Sequence, residues 1–363
     1  MFSLFIRLCY PANGHGAGGV CVAHGTGFRW CLSVMAKVRC CWPKLMSQFA
    51  SVRMANTVWP AQLWRERYSM AYPVLREATW PLSLPANLPA SKLQQIKDEV
   101  ERLADASQYG WGQTIDFGPF RKDGLLQQGY LKFAGAFDAW GWWPARLDGL
   151  RTADIGCFTG GSSFLMAHRG AATVYAVDEI PEHLAQCAFL VQIFGIETVR
   201  PLLRSAYRLR EDIAPGSLDI ILLSGVLYHM SDMLVGLYAM RELLKPGGLL
   251  LIMSNGIDDF EQSYANFGRF IAGRWWQPTG LCIQDMLEFM GFRDYEVRFY
   301  KTDACLVRAF TSDSDIPFKR GLNWPFETLR DAIPRSTDLQ LMAPVRAVQR
   351  NDAVSPTRPE HES

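Results

Sequence analysis

The chain predicts an α/β fold built on a mostly parallel seven-stranded sheet, and three observations carry that expectation. Strand-like and helix-like runs alternate from Thr152 to Ser254. A glycine-rich loop follows the first of those strands. The series closes on two strands, Tyr295–Tyr300 and Cys305–Phe310, whose four-residue link is too short for a crossover helix and makes them antiparallel.

Composition bounds the rest. The 363 residues are 49% hydrophobic and 20% charged, which excludes a mostly disordered chain, a collagen-like repeat and a small disulfide scaffold. No apolar run reaches the roughly 18 residues a membrane-spanning helix needs. The net charge of +1 hides an asymmetry. Residues 1–70 hold eight Lys/Arg and one acid, Glu66, whereas the remainder holds 29 basic and 35 acidic residues. Five of the nine cysteines (Cys9, Cys21, Cys31, Cys40, Cys41) precede residue 42. With no apolar core before a cleavage site and no Cys-x-x-Cys spacing, residues 1–69 read as a disordered extension or a mis-assigned start, with Met46, Met54 or Met70 as the real beginning. Irregular, odd-numbered cysteines point to free thiols and a cytoplasmic protein, and no metal site is expected.

Residues 70–145 form a helical and aromatic region. Leu93, Ile96, Val100 and Leu103 recur at helical spacing and predict a helix over 91–107. From Tyr109 to Trp143 only turn signals stand out, in Gly118-Pro119-Phe120 and Trp142-Trp143-Pro144. Residues 146–310 carry the α/β domain. Its strands are Thr152–Ile155, Thr173–Val177, Val199–Leu203, Leu218–Leu223, Leu249–Ser254 and the closing pair. Its helices are Ser162–Arg169, Pro181–Phe194, Met233–Leu244 and Ile283–Met290. Residues 311–363 read as an extension ending in a polar tail.

Chemistry concentrates at the ends of these strands. Asp154-Ile155-Gly156-Cys157-Phe158-Thr159-Gly160-Gly161 lies between a strand and a helix, where open α/β sheets bind ligands. In a dinucleotide site the middle glycine lets backbone approach a pyrophosphate, and here that position is Phe158. The substitution disfavours NAD or FAD and suits a nucleoside ligand without a diphosphate, such as S-adenosylmethionine. Asp178 ends the next strand, 22 residues after Gly156, where a carboxylate accepts hydrogen bonds from ribose hydroxyls. An N-cap of the next helix is its other reading. Asp154 reads either as a buried structural carboxylate or as the partner of a ligand amino group. Leu223-Ser224-Gly225-Val226-Leu227-Tyr228-His229 places Tyr228 and His229 at the end of another strand. His229, with an ordinary pKa near 6.5, is the candidate base, or else a residue that shapes its loop. Ser205 follows the third strand, and Cys157, without a paired base, reads as a packing residue. Lys245-Pro246-Gly247-Gly248 ends a helix and reverses the chain. His168 and His183 read as surface residues, Asp219 as structural, and Trp111, Gln113, Trp275 and Trp276 either as a roof over the acceptor or as core.

Asp154-Ile155-Gly156-Cys157-x-x-Gly160, Asp178 and Leu244-Lys245-Pro246-Gly247-Gly248 together resemble the class I S-adenosylmethionine-dependent methyltransferases. Gly225-Val226-Leu227-Tyr228-His229, Gly118-Pro119-Phe120 and Trp276-Gln277-Pro278-Thr279 are similar to the CmoB-like group of tRNA wobble-uridine carboxymethyltransferases. The resemblance implies a Rossmann-like fold, S-adenosylmethionine as cofactor held around Asp154, Gly156, Cys157, Gly160, Asp178, Ser205 and Gly225, and reaction beside Tyr228 and His229. In the CmoB-like group a lysine before Gly-Pro-Phe meets the carboxylate of carboxy-S-adenosylmethionine, and the corresponding residue here is Phe117. Plain methyl transfer is therefore expected. The acidic balance beyond residue 70 favours a small-molecule, sugar or lipid-linked acceptor over tRNA. An NAD-dependent oxidoreductase and a non-catalytic binding module are the competing classes.

Overall fold

The computed structural model describes residues 76–271, 273–301 and 303–312. The expected extension over 1–69, the five early cysteines and all but Thr311 and Ser312 of the expected extension over 311–363 lie outside the described residues, and Thr311 belongs to the last strand instead. Helix α1 (Ala90–Asp105) buries Ile96, Val100 and Leu103, the stripe its spacing predicts. A short hairpin, β1 (Ile115–Asp116) and β2 (Arg121–Lys122), leads to α2 (Gly129–Ala139). Neither was legible as more than turns, because α2 is apolar on nearly every side and interrupted by Gly135, so no helical stripe shows.

The sheet follows with β3 (Arg151–Ile155), α3 (Gly161–His168), β4 (Thr173–Asp178), α4 (Pro181–Phe194), β5 (Val199–Leu203), β6 (Leu218–Ser224), α5 (Met233–Leu243) and β7 (Leu244–Asn255). An inserted hairpin, β8 (Ala265–Ile271) and β9 (Arg274–Pro278), precedes α6 (Gly280–Phe289), β10 (Phe292–Lys301) and β11 (Ala304–Thr311). The seven-stranded sheet runs β10-β11-β7-β6-β3-β4-β5, with β11 antiparallel to both neighbours and the other described pairings parallel. This is the expected Rossmann-like arrangement, and the strand order reverses at β3, between β4 and β6.

Both faces of the sheet are covered, so its central strands are hydrophobic at successive positions. Ile220, Leu222, Leu249 and Leu251 face the cluster formed with α1–α4. Ile221, Leu223, Leu250 and Ile252 face the cluster containing residues of α5 and α6. Helix starts follow local chemistry. Pro181 opens α4, Asp232 accepts from Val235 N at 3.0 Å at the start of α5, and Thr279 Oγ1 accepts from Cys282 N at 3.1 Å at the start of α6.

Lys245 departs from the expected helix-end role. It already belongs to β7, and its Nζ meets Asp219 Oδ1 at 2.6 Å. The segment from Lys245 to Gly248 bulges out of the β6–β7 register, which jumps from Leu218↔Leu244 to Ile220↔Leu249. Asp219 also accepts from Arg151 N at 2.9 Å, the structural role expected of it.

Candidate functional site

The parallel register of β3, β4 and β6 brings the loop after β3, Asp178 and the turn after β6 to the same carboxyl edge. Gly156, at φ +74°, is where the first and last of these meet: a Cβ there would lie 2.2 Å from Val226 Cγ2. The loop is tied to β4 by Gly156 and Cys157 N–H groups donating to Val177 O, at 2.8 and 2.9 Å.

Asp178 holds this corner together. One carboxylate oxygen accepts from Phe158 N at 3.0 Å, and the other accepts from Ile180 N at 3.0 Å. The aspartate thus organises the turn into α4, although Ile180 and not Asp178 occupies the N-cap position. His183 departs from its expected surface position. It is 2% exposed, with Nδ1 3.4 Å from Asp178 Oδ1 and its ring stacked on Phe158 at 3.7 Å. Placed on the buried side of α4, it could not be told from its exposed neighbours by spacing alone. His168 is exposed, as expected.

Phe158 adopts φ +55°, a left-handed conformation that costs a non-glycine residue about 1 kcal/mol. Its ring takes the space over Gly112, where a Cβ would lie 1.9 Å from Phe158 Cδ1. Gly112 is thus the compensation for the missing middle glycine. Its neighbour Gln113 clamps the loop rather than roofing an acceptor. Gln113 Oε1 accepts from Gly161 N at 2.7 Å and from Thr159 Oγ1 at 3.0 Å, and Gln113 N donates to Thr159 Oγ1 at 2.9 Å. Gln186 on α4 completes the clamp by accepting from Gly112 N and donating to Gly110 O.

Asp154 is fully buried and accepts from Ser163 Oγ at 2.7 Å. Burial, opposed by that hydrogen bond and reinforced by the charge of Asp178, pushes its carboxyl up to about 7. Such a carboxyl is poised to ionise beside a cation. Cys157 is buried and its thiol lies against Cys187, with burial pushing it well above the usual thiol range. It is a packing residue, not a nucleophile, but Cys157 and Cys187 are neighbours rather than scattered. Gly160, at φ +90°, precedes α3. Ser205 is buried after β5, beside Arg204, whose N–H donates to Asp178 O at 3.0 Å.

At the end of β6, Gly225 (φ +75°) donates to Met253 O and lies under the Tyr228 hydroxyl. Tyr228 and His229 lie on a short 3₁₀ turn (Leu227–His229) with ring centroids 4.1 Å apart. Burial raises the Tyr228 phenol, so it stays protonated and a donor. His229 Nδ1 lies 2.5 Å from Gly273 O, and since a carbonyl only accepts, Nδ1 carries the proton and Nε2 keeps its lone pair. Desolvation and the nearby Arg274 charge outweigh that bond and hold His229 below the usual histidine range.

The β8–β9 hairpin, which supplies Gly273 and Arg274, had no sequence signal beyond its aromatic residues. It is anchored by Trp276 Nε1 donating to Ser231 O at 2.9 Å. Trp276 therefore ties the hairpin to the segment just after the Tyr228–His229 turn and Trp275 packs on Phe267, whereas Trp111 is core material, packed near Phe117. Phe117 itself is fully buried, stacked on Phe120 at 4.4 Å and on Phe194 at 5.9 Å. A lysine there would enter an aromatic cluster, so replacing Phe117 is no route to an anion site. A cavity of about 440 Å³ opens among Trp142, Lys245, Arg308 and Phe310, at the amino ends of β6 and β7, and shares no residue with this site.

Residues 153–252 match the family model described as a methyltransferase domain. No curated protein matches the chain. Among solved structures the chain is similar to phosphoethanolamine N-methyltransferase 2 of Haemonchus contortus in complex with S-adenosyl-L-methionine, at 18% identity over 47% of this chain and 50% of that one, with a TM-score of 0.41. It is also similar to the YcgJ protein of Bacillus subtilis (16% identity, 47% and 94% coverage, TM-score 0.40) and to an S-adenosylmethionine-dependent methyltransferase of Aquifex aeolicus (16%, 48% and 87%, 0.39). The chain spans about half the length of the Haemonchus enzyme.

Proposed function

We propose that the protein transfers a methyl group from S-adenosylmethionine to an oxygen or nitrogen nucleophile of a small-molecule, sugar or lipid-linked acceptor. The residues at the loop suit that cofactor. Asp154 is a buried carboxyl with no ion pair among the described residues, and Asp178 ends β4 where ribose hydroxyls are received. In this reading Asp154 takes the methionine amino group and Asp178 the ribose. Gly156, Cys157, Gly160, Ser205 and Gly225 let backbone and small side chains pack close. Bound S-adenosylmethionine supplies a methyl carbon whose bond to sulfur breaks with both electrons going to sulfur, so the acceptor needs only to lose a proton.

The observation that carries the reading is the state of His229. Gly273 fixes its tautomer, and its lowered pKa keeps it neutral at physiological pH, so Nε2 can take the acceptor's proton. Tyr228, a protonated phenol beside it, orients the nucleophile. Of the basic cluster Arg200, Arg204, Arg208 and Arg210, the last three are engaged with Asp212, Glu211 and Glu242, and Arg200 is exposed without an ion pair among the described residues. That pairing supports a small acceptor over the tRNA implied by the CmoB-like resemblance.

Two measurements test the proposal. S-adenosylhomocysteine, and not NAD, raises the thermal midpoint, because a ligand of the folded state stabilises it. His229→Ala lowers turnover by roughly 10²- to 10⁴-fold while S-adenosylhomocysteine affinity holds. A retained rate would reduce His229 to shaping its loop.

A further inference from the structure

Arg274 opens β9 directly after Gly273, whose carbonyl holds His229. It is partly buried, and among the described residues its guanidinium makes no hydrogen bond or ion pair. Several other arginines are matched with a carboxylate: Arg102 with Glu99, Arg169 with Asp138, Arg204 with Asp212, and Arg298 and Arg308 with Glu296. Arg200, Arg269 and Arg293 lack an ion pair among the described residues but are exposed. A partly buried guanidinium left without a carboxylate carries a desolvation cost that a ligand anion would offset. Its charge reaches both Tyr228 and His229, opposing protonation of the imidazole and favouring ionisation of the phenol.

The surroundings narrow the anion. One uncompensated positive charge suits a monoanion better than a phosphomonoester, which carries about −1.5 to −2 near neutral pH. The hairpin that carries Arg274 also presents an aromatic wall. Phe267 is 55% exposed, stacked against Trp275 at 6.1 Å and tilted against Trp276 at 5.2 Å. Such a wall receives a planar body.

We propose that the acceptor is a small planar carboxylic acid, its carboxylate met by Arg274, its body laid on the Phe267–Trp275 wall and its nucleophile turned toward Tyr228 and His229. Arg274 is then a specificity-determining residue of the acceptor. The inference rests on the methyltransferase reading above and deepens it.

The test uses the full chain saturated with S-adenosylhomocysteine. 4-Hydroxybenzoate and 4-aminobenzoate are titrated into it by calorimetry, each beside its uncharged carboxamide, and the series is repeated with Arg274→Gln and Arg274→Lys. The acids bind about tenfold or more tighter than the amides, a difference of roughly 1.4 kcal/mol. Arg274→Gln removes that preference, Arg274→Lys keeps part of it, and S-adenosylhomocysteine affinity stays within about twofold in both. Absence of acid binding, or equal binding of acids and amides, overturns the proposal. So does a matching fall in S-adenosylhomocysteine affinity with Arg274→Gln, because the arginine would then serve the cofactor's own carboxylate. Failure of wild-type protein to bind S-adenosylhomocysteine is a separate result that removes the methyltransferase reading and this inference with it.

Discussion

The glycine loop and the Tyr228–His229 turn leave neighbouring strands, yet one is wired into the buried interior and the other leans on a partly exposed hairpin. At the loop, Asp178, Gln113, Gln186 and Ser163 hold backbone and side chains from the sheet, the α1–β1 connection and α4. At the turn, one imidazole–carbonyl bond and one indole–carbonyl bond join the 3₁₀ turn to β8–β9. The difference teaches how the labour divides. Under the proposed function, the rigid frame is the end that would meet the cofactor, and the inserted hairpin, which can vary without disturbing the sheet, the end that would choose the acceptor.

The sharpest way to break that comparison is to remove the frame's centre. Asp178→Ala loses the acceptor of Phe158 N and Ile180 N together with the proposed ribose contacts. Hydrogen bonds to a charged group are worth roughly 1.5–3 kcal/mol each, so S-adenosylhomocysteine affinity falls about 100-fold or more by calorimetry. An unchanged affinity would leave Asp178 as a turn organiser alone.

Gln113→Ala comes next. It leaves Gly161 N buried without its acceptor and removes the acceptor of the Thr159 hydroxyl, whose bond from the backbone N of residue 113 remains. The cost is about 1–3 kcal/mol of stability, read as a lower urea midpoint, with weaker S-adenosylhomocysteine binding. Acceptor selectivity should not change, since Gln113 touches only the loop. A change in selectivity would show that the two ends are coupled.

How far the site could be read from sequence follows the same division. The helix start at Pro181, the β3 loop and Asp178 are legible because strand period, turn chemistry and a fixed spacing act over a few residues. The antiparallel pairing of β10 and β11 follows from the short link near residue 303. Long-range wiring is not local. Nothing near Gly112 announces that it makes room for Phe158, 46 positions on. His183 lies on a helix whose sides are almost uniformly apolar, so its burial against Asp178 carries no pattern. Gly273 and Arg274 sit in a hairpin without alternation, and their meeting with His229 is decided by packing across more than forty residues.

Asp154 sharpens the account of the loop end through pH. Its carboxyl, pushed up to about 7 by burial, stays protonated in the free folded protein well above the ordinary carboxyl value. Its contribution to stability is therefore full below that ordinary value and is lost as pH rises through 7. A ligand amino group favours the ionised form, so S-adenosylhomocysteine binds more tightly as pH rises from 6 to 8, by about tenfold overall. A proton is released, visible as a dependence of binding heat on buffer. A flat profile without proton release would make Asp154 purely structural.

The smallest effect belongs to the hairpin end. Trp276→Phe keeps an aromatic ring beside Phe267 but deletes the indole N–H that donates to Ser231 O. One exposed neutral hydrogen bond is worth about 0.5–1.5 kcal/mol. Because that bond ties β9 to the turn, its loss loosens the placement of Gly273 and Arg274 over His229. The loss should appear as a severalfold rise in acceptor KM, with S-adenosylhomocysteine affinity and the urea midpoint close to wild type. If cofactor affinity fell by as much as the acceptor term, the hairpin would belong to the frame. The separation of a shared cofactor end from a variable acceptor end would then have no physical basis in this molecule.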